Sequence, residues 1–366
     1  MRLLVTGATG YVGSRLVCAL LDRGCDVVVT SRDADRTAAF GWADDVRALT
    51  MDADDDDSVR SCLARAGTVD ALYYLVHGIG RAGFTDRDRD AARRVAEAAR
   101  DAGVPRIVYL GGFVPDAGER GLSAHLRSRA DVGAALALAN GPELVWLRAA
   151  VILGAGSTSF EIIRYVADRL AVIVEPSWVH NAMDPISIRD VVHYLTAVAD
   201  PAFPAGTYDI AGPDGGRYRS VLTAYLDAVG IPRLRLPVVG ISTRLAGRVS
   251  GLIVPAPAEL TEELVTSLNH PMAASEHRIR DLVAPPDGGL VPMRDAVAAA
   301  VRSPSPRPVT ELADPHHLAD TDPAWAGGDW LRLRRTIGET VDEASRLAER
   351  VIGTLWSGRD EPRHVG

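Results

Sequence analysis

The sequence predicts an α/β protein built on a doubly wound parallel sheet, and three observations predict it. Short apolar runs such as Leu3-Leu4-Val5 and Asp26-Val-Val-Val-Thr30 are continuous rather than alternating, as strands covered on both faces must be. Helical segments separate these runs at a regular rhythm, which implies right-handed crossovers between parallel strands. The first strand, turn and helix lie within Met1 to Leu21 and carry glycines at Gly7, Gly10 and Gly13, with Gly24 after the helix.

That glycine spacing is a phosphate-site pattern. One glycine makes the tight turn, one brings the backbone beside a pyrophosphate, and one packs helix against strand. The free amides and positive end of the helix then face the anion. The expected contacts are Gly7, Thr9, Gly10, Tyr11, Val12 and Gly13.

Composition narrows the class. The chain has 366 residues, 47% hydrophobic and 24% charged, with a net charge of −8, and no segment gathers Arg without interspersed acids, which argues against a nucleic-acid partner. Cys18, Cys25 and Cys62 form no disulfide framework or zinc pattern, and no metal site is expected. The chain enters its first strand at once and holds no apolar run of membrane-spanning length, so a cytoplasmic protein is expected. All 40 basic residues are Arg, which excludes catalysis by a titrating Lys or a Schiff base.

The remaining strands follow in order. The second ends in Thr30-Ser31-Arg32, where hydroxyls and a cation suit a ribose 2′-phosphate and favour NADP(H); Asp33 or Asp35 turned toward a free ribose hydroxyl keeps NAD(H) as second choice. The third, Val46 to Thr50, leads to Asp52 and Ala53, placed for the adenine, while Asp55 to Asp57 start the next helix. The fourth, Val69 to Val76, brings Leu75, Val76 and His77 to the same edge. The fifth, Pro105 to Leu110, ends at Gly111 and Gly112; the sixth is Glu143 to Arg148.

Beyond residue 150 the rhythm breaks. Three divisions are expected: a dinucleotide-binding Rossmann domain over 1–153, a smaller substrate lobe over 154–302 with 184–200 returning to the first domain, and a linker and helical extension over 303–366. Gly112, Phe113, Ile152, Phe160 and Trp178 are the expected substrate wall, and Asp190 the expected cap of its helix. The apolar stretch Leu234 to Ala258, broken by Arg244 and Arg248, reads as a pocket wall or lid, with a membrane-surface contact as the minor alternative. Ser303-Pro-Ser-Pro-Arg-Pro308 reads as a linker, and a helix from Trp330 to Trp356 carries one apolar face for the core or for a homodimer.

Thr6-Gly-Ala-Thr-Gly-Tyr-Val-Gly13, Asp52-Ala53 and Asp184-Pro-Ile with Asp190-Val191 together resemble the extended and atypical short-chain dehydrogenase/reductases over about residues 1–300. The family's usual Tyr-x-x-x-Lys pair, its Ser and its Asn are absent: Gly111-Gly112 stand in the Ser region and Arg94 near the Asn position. His125-Leu-Arg-Ser-Arg129 resembles an NmrA-like subgroup with His-x-x-x-Arg in that place, and Trp325-Ala-Gly-Gly328 resembles the opening of a further domain. Residues four apart share a helix face, so His125 and Arg129 are the expected catalytic pair. The expected activity is an NADPH-dependent reductase of a small, mostly apolar carbonyl or conjugated substrate, with hydride from the nicotinamide and the proton from His125. Two alternatives stand beside it: a non-catalytic NADP(H)-binding redox sensor or assembly protein, and an NADP-dependent isomerase or dehydratase.

Overall fold

The first strand shows why the apolar runs are unbroken. Leu3 and Val5 point into one core layer and Leu4 into the other, and all three are fully buried. The computed structural model describes residues 1–79, 83–114 and 122–333. Six strands and four helices alternate: β1 (Arg2–Thr6), α1 (Tyr11–Asp22), β2 (Asp26–Ser31), β3 (Arg47–Thr50), α2 (Asp56–Ala66), β4 (Ala71–Tyr74), α3 (Phe84–Asp101), β5 (Arg106–Gly112), α4 (Ala124–Leu136) and β6 (Glu143–Ala149). As expected, Asp55 caps α2, its carboxylate accepting from the amides of Asp57 and Ser58.

The rest of the chain adds β7 (Ile152–Leu153), α5 (Thr158–Arg169), β8 (Val172–Pro176), β9 (Ala182–Met183), β10 (Ile186–Ser187), α6 (Ile188–Ala197), β11 (Gly206–Asp209), β12 (Gly216–Arg217), α7 (Tyr218–Val229), β13 (Leu234–Val238), α8 (Thr243–Ile253), α9 (Ala258–Ser267), α10 (Ile279–Leu282) and α11 (Met293–Val301). The main sheet has seven parallel strands in the order β11-β6-β5-β4-β1-β2-β3. Strand order reverses between β1 and β4, and such a sheet opens a ligand crevice there. The Thr6 hydroxyl pins that crevice by donating to Tyr73 O at 2.9 Å and accepting from Leu75 N at 3.1 Å.

Three expectations need correction. The sheet does not end at β6: β11, from within the expected lobe, pairs with it through Gly206–Asp209 against Val145–Arg148. Asp190 does not cap α6; Ser187 does, while buried Asp190 accepts from Val291 N and pairs with Arg189. Residues 303–308 are not a free linker. Ser303 is buried and accepts from Leu318 N, Arg307 bridges to Ala319, and the chain from 303 to 331 runs as a strap over α1 and into the lobe core through Leu318 and Ala326.

The strap is held by charge as well as by packing. Arg15 of α1 forms a two-pronged pair with Asp322 (2.7 and 3.1 Å) and donates to the carbonyls of Pro315 and His317, with both side chains almost fully buried. A helical turn begins at Gly328 and continues through the described residues; the rest of the expected helix to Trp356 lies outside them. Among the described residues no helix is long and apolar enough to cross a membrane.

Candidate active site

The crevice is built from the glycine turn upward. Gly7 has φ +69°, and a Cβ there would lie 2.7 Å from Leu75 O. A Cβ on Gly13 would lie 2.2 Å from Gly7 O, so this glycine is required by the fold alone. Gly10 differs: a Cβ would meet only Gly7 O, at 3.2 Å. Gly10 is exposed at the head of α1, which has no side-chain cap and no acid in its first turn. An uncapped helix start on an open backbone fits a diphosphate.

The edge of the sheet supplies the other ends of such a ligand. Ser31 ends β2 and exposed Arg32 follows it, and none of the described ion pairs uses Arg32. Asp33 is committed to accepting from Asp35 N. Asp52 follows β3 and accepts from Asp54 N, and Ala53 O accepts from Arg94 at 2.7 Å. Arg94 also pairs with Asp56, so it braces the chain beyond β3. Thr9 sits half-buried on the glycine turn, and Val76 packs into the core layer that holds Leu4.

From the glycine turn a cavity of about 540 Å³ runs into the lobe, touching Gly7, Gly10, Tyr11, Val12, Gly13, Leu75, His77, Gly111, Gly112, His125, Arg129, Ile152 and Trp178. Two polar side-chain atoms on its wall are buried without a hydrogen-bond partner among the described residues: Nδ1 of His125 and Nη2 of Arg129. A third is the Tyr11 hydroxyl. Burial keeps that phenol protonated, against the opposing field of Arg15 stacked on its ring.

Electrostatics decide the form of the histidines. Burial first, then the Arg129 cation, then His77, hold His125 well below the usual imidazole range. His77 is lowered by burial and by Arg129 as well, although its side chain keeps much of its surface open to the cavity and water there softens the shift. Both imidazoles are therefore neutral near pH 7, and His125 at rest is an acceptor, or a neutral hydrogen-bond donor.

Residues 7–137 match the NAD(P)H-binding family. This is an NAD(P)H-binding domain. Its relatives include mouse mitochondrial NADH dehydrogenase [ubiquinone] 1 alpha subcomplex subunit 9, 26% identical over 215 residues, 57% of this chain and 56% of the relative. Methylococcus capsulatus sterol demethylase protein B is 36% identical over 122 residues, 31% of this chain and 35% of that one. The chain thus spans about half or a third of the length of these curated relatives. Among solved structures it is similar to a nucleoside-diphosphate-sugar epimerase from Staphylococcus aureus (TM-score 0.65, 13% identity, 81% of this chain and 100% of that one). It is also similar to the Bordetella bronchiseptica enzyme WbmG in complex with NAD (TM-score 0.62, 16% identity, 82% and 93%). These share the fold of the extended short-chain dehydrogenase/reductases.

In the NAD(P)H-binding domain sterics bar a Ser at Gly111 but leave room for one at Gly112. A Cβ on Gly111 would strike Trp146 Nε1 at 2.5 Å, whereas one on Gly112 would meet Arg129 Cγ at an ordinary 3.7 Å. Phe113 and Phe160 are corrected out of the substrate wall: both are buried in the lobe core, Phe160 edge-on to Tyr225 at 6.2 Å. Ile162, Ile163 and Val166 of α5 line the cavity instead. The stretch after Leu234 does supply wall, through Ile241, Leu245, Val249 and Ile253.

Two residues escaped the sequence reading. Asp88 accepts from Gly78 N at 2.8 Å and Ser128 Oγ at 3.2 Å, tying the loop that bears His77 to the helix that bears Arg129. Glu263 of α9 accepts from the His125 backbone amide at the head of α4. A Ser187–His316–Asp314 chain also exists (2.8 and 2.6 Å), but Ser187 and His316 are buried where the strap meets α6 and do not line this cavity. Its geometry resembles a hydrolase triad; its position makes it a tether. Among the described residues no group of three or more His, Cys, Asp or Glu could hold a metal ion.

Proposed function

We propose that the protein is an NADP(H)-dependent oxidoreductase that interconverts a mostly apolar carbonyl or conjugated compound and its reduced form. The observation that carries this is the pair of buried, unpartnered polar atoms on His125 and Arg129 in a cavity continuous with the glycine turn. A buried donor or acceptor without a partner costs about 1–3 kcal/mol, and a bound oxygen relieves that cost.

The bound nicotinamide would supply or receive hydride. Arg129 donates to the substrate oxygen and stabilises negative charge on it in both directions. His125, neutral at rest, takes the hydroxyl proton when an alcohol is oxidised. For reduction it must first gain a proton from water, which it then returns to the oxygen. Tyr11, kept as a neutral phenol, donates to an oxygen at the diphosphate end. Ser31 and Arg32 offer a hydroxyl and a cation to a 2′-phosphate, while Asp33 accepts from Asp35 N through Oδ1 alone.

The test is turnover. Purified protein is given NADPH with quinones, enones and ketones, and NADP⁺ with the matching alcohols, alongside the NAD forms. His125→Ala should abolish turnover and leave NADPH binding intact, and Arg32→Ala should erase the preference for NADP. Tight binding with no turnover in either direction overturns the catalytic assignment in favour of a redox sensor.

A further inference from the structure

The cavity wall is mostly apolar. His77, His125 and Arg129 sit at the glycine end, while Ile162, Val166, Leu222, Ile253 and Leu264 line the lobe end. The other charged groups on the wall are Glu175 and Arg219, and they answer one another. Glu175 is buried, paired to Arg235 and 3.6 Å from Arg219. Two arginines share the one carboxylate of Glu175, so among the described lining residues the lobe offers at most one cation in excess, Arg219, whereas a nucleoside diphosphate needs several charge-assisted donors.

The mouth has the same character. Helix α8 packs its small polar side, Thr243, Gly247 and Ser250, toward the protein, and a Cβ on Gly247 would be 3.0 Å from Glu262 O of α9. Its leucines and valines are left outside: Leu245 and Val249 line the cavity yet are 53% and 46% exposed, and Leu252 is 87% exposed. A surface helix ordinarily buries its aliphatic side. Here the apolar lining reaches the surface through Leu245 and Val249.

We infer that the substrate is an uncharged long-chain lipid whose single oxygen function lies at His125 and Arg129, and whose chain follows α5 outward beneath α8. This rests on the oxidoreductase reading of the same site and replaces a small substrate by a long one. It also separates the chain from its structural neighbours that are named for sugar nucleotides.

The experiment is calorimetric titration of the NADP⁺-saturated protein with 2-alkanones from six to fifteen carbons, with UDP and UDP-glucose as the opposing probes. Affinity should rise about threefold to fourfold with each methylene, equivalent to about 0.8 kcal/mol, until the chain leaves the mouth, and the two uridine probes should not compete. Leu264→Arg should flatten the series while NADP⁺ still binds. Ala246→Trp at the mouth, a milder change, should shorten the length at which affinity levels off. A flat series, or saturable UDP-glucose binding that displaces 2-tridecanone, overturns the inference. Because binding is read without turnover, a steep series with no reaction refutes only the oxidoreductase reading. Turnover with no chain-length dependence refutes only the lipid assignment.

Discussion

Replacing Asp322 by Ala should be among the most damaging single changes in the strap. Its carboxylate holds Arg15 through both oxygens at 2.7 and 3.1 Å and accepts from Ala319 N at 2.8 Å, and the two side chains are 3% and 2% exposed. Without it the guanidinium keeps the carbonyls of Pro315, His317 and Tyr11 but has no countercharge. A buried cation stripped of its partner costs about 3–5 kcal/mol, whereas an apolar pair of similar volume is often neutral. Urea denaturation followed by circular dichroism should therefore show Asp322→Ala losing about 3–5 kcal/mol, and Arg15→Met with Asp322→Leu recovering most of it. A loss below about 1 kcal/mol, or a double variant no better than the single, would falsify the view that this pair holds the strap. Arg15 also stacks on Tyr11 at 4.0 Å, so the single variant should weaken NADPH binding as well.

Other outcomes follow from the same geometry. Gly13→Ala drives a Cβ into backbone 2.2 Å away and should cost about 3 kcal/mol or more, while Gly10→Ala, with its nearest contact at 3.2 Å, should cost under about 1 kcal/mol and still weaken NADPH binding about tenfold; thermal melts with and without NADPH separate the two, and equal effects would sink the distinction. Arg129→Leu removes the buried donor Nη2, which has no hydrogen-bond partner among the described residues, and the countercharge that faces Asp88, so turnover should collapse; turnover that persists contradicts this. His125 and His77 have folded pKa values below the unfolded value of about 6.5. The unfolded chain therefore binds more protons in acid, and the stability these neutral side chains hold above pH 6.5 is lost as pH falls below it. Melting curves between pH 8 and 5 should show this loss, and His125→Asn should reduce it; alcohol oxidation, which needs neutral His125, should hold until the pH reaches the lowered folded pKa.

Much of the first domain was legible because its physics is local. Leu3-Leu4-Val5 announces a doubly covered strand, and the glycine turn follows from three residues and their spacing. Elements defined by partners far along the chain were not legible. Gly206-Thr-Tyr-Asp209 carries too little apolar surface to read as a strand, and only the exposed edge of β6 makes it one. Asp88 looks like one charge among many on an Asp- and Arg-rich helix until Gly78 and Ser128 fold against it. Ser303 to Pro308 looks like a linker because proline lacks an amide donor, yet the bonds that anchor it come from Leu318 and Asp320. On the lobe helix each residue turns about 100°, so Ile162, two residues beyond buried Phe160, faces away from it and lines the cavity.

The route of the chain through β11 has a practical result. Because the seventh strand arrives only after residue 205, a fragment cut near residue 153 would leave Val145, Trp146 and Leu147 with open amides and carbonyls along one side. Such a raw border recruits other chains, so the dinucleotide half should clump when produced by itself. Any minimal version that keeps this border covered must carry the polypeptide through at least Asp209.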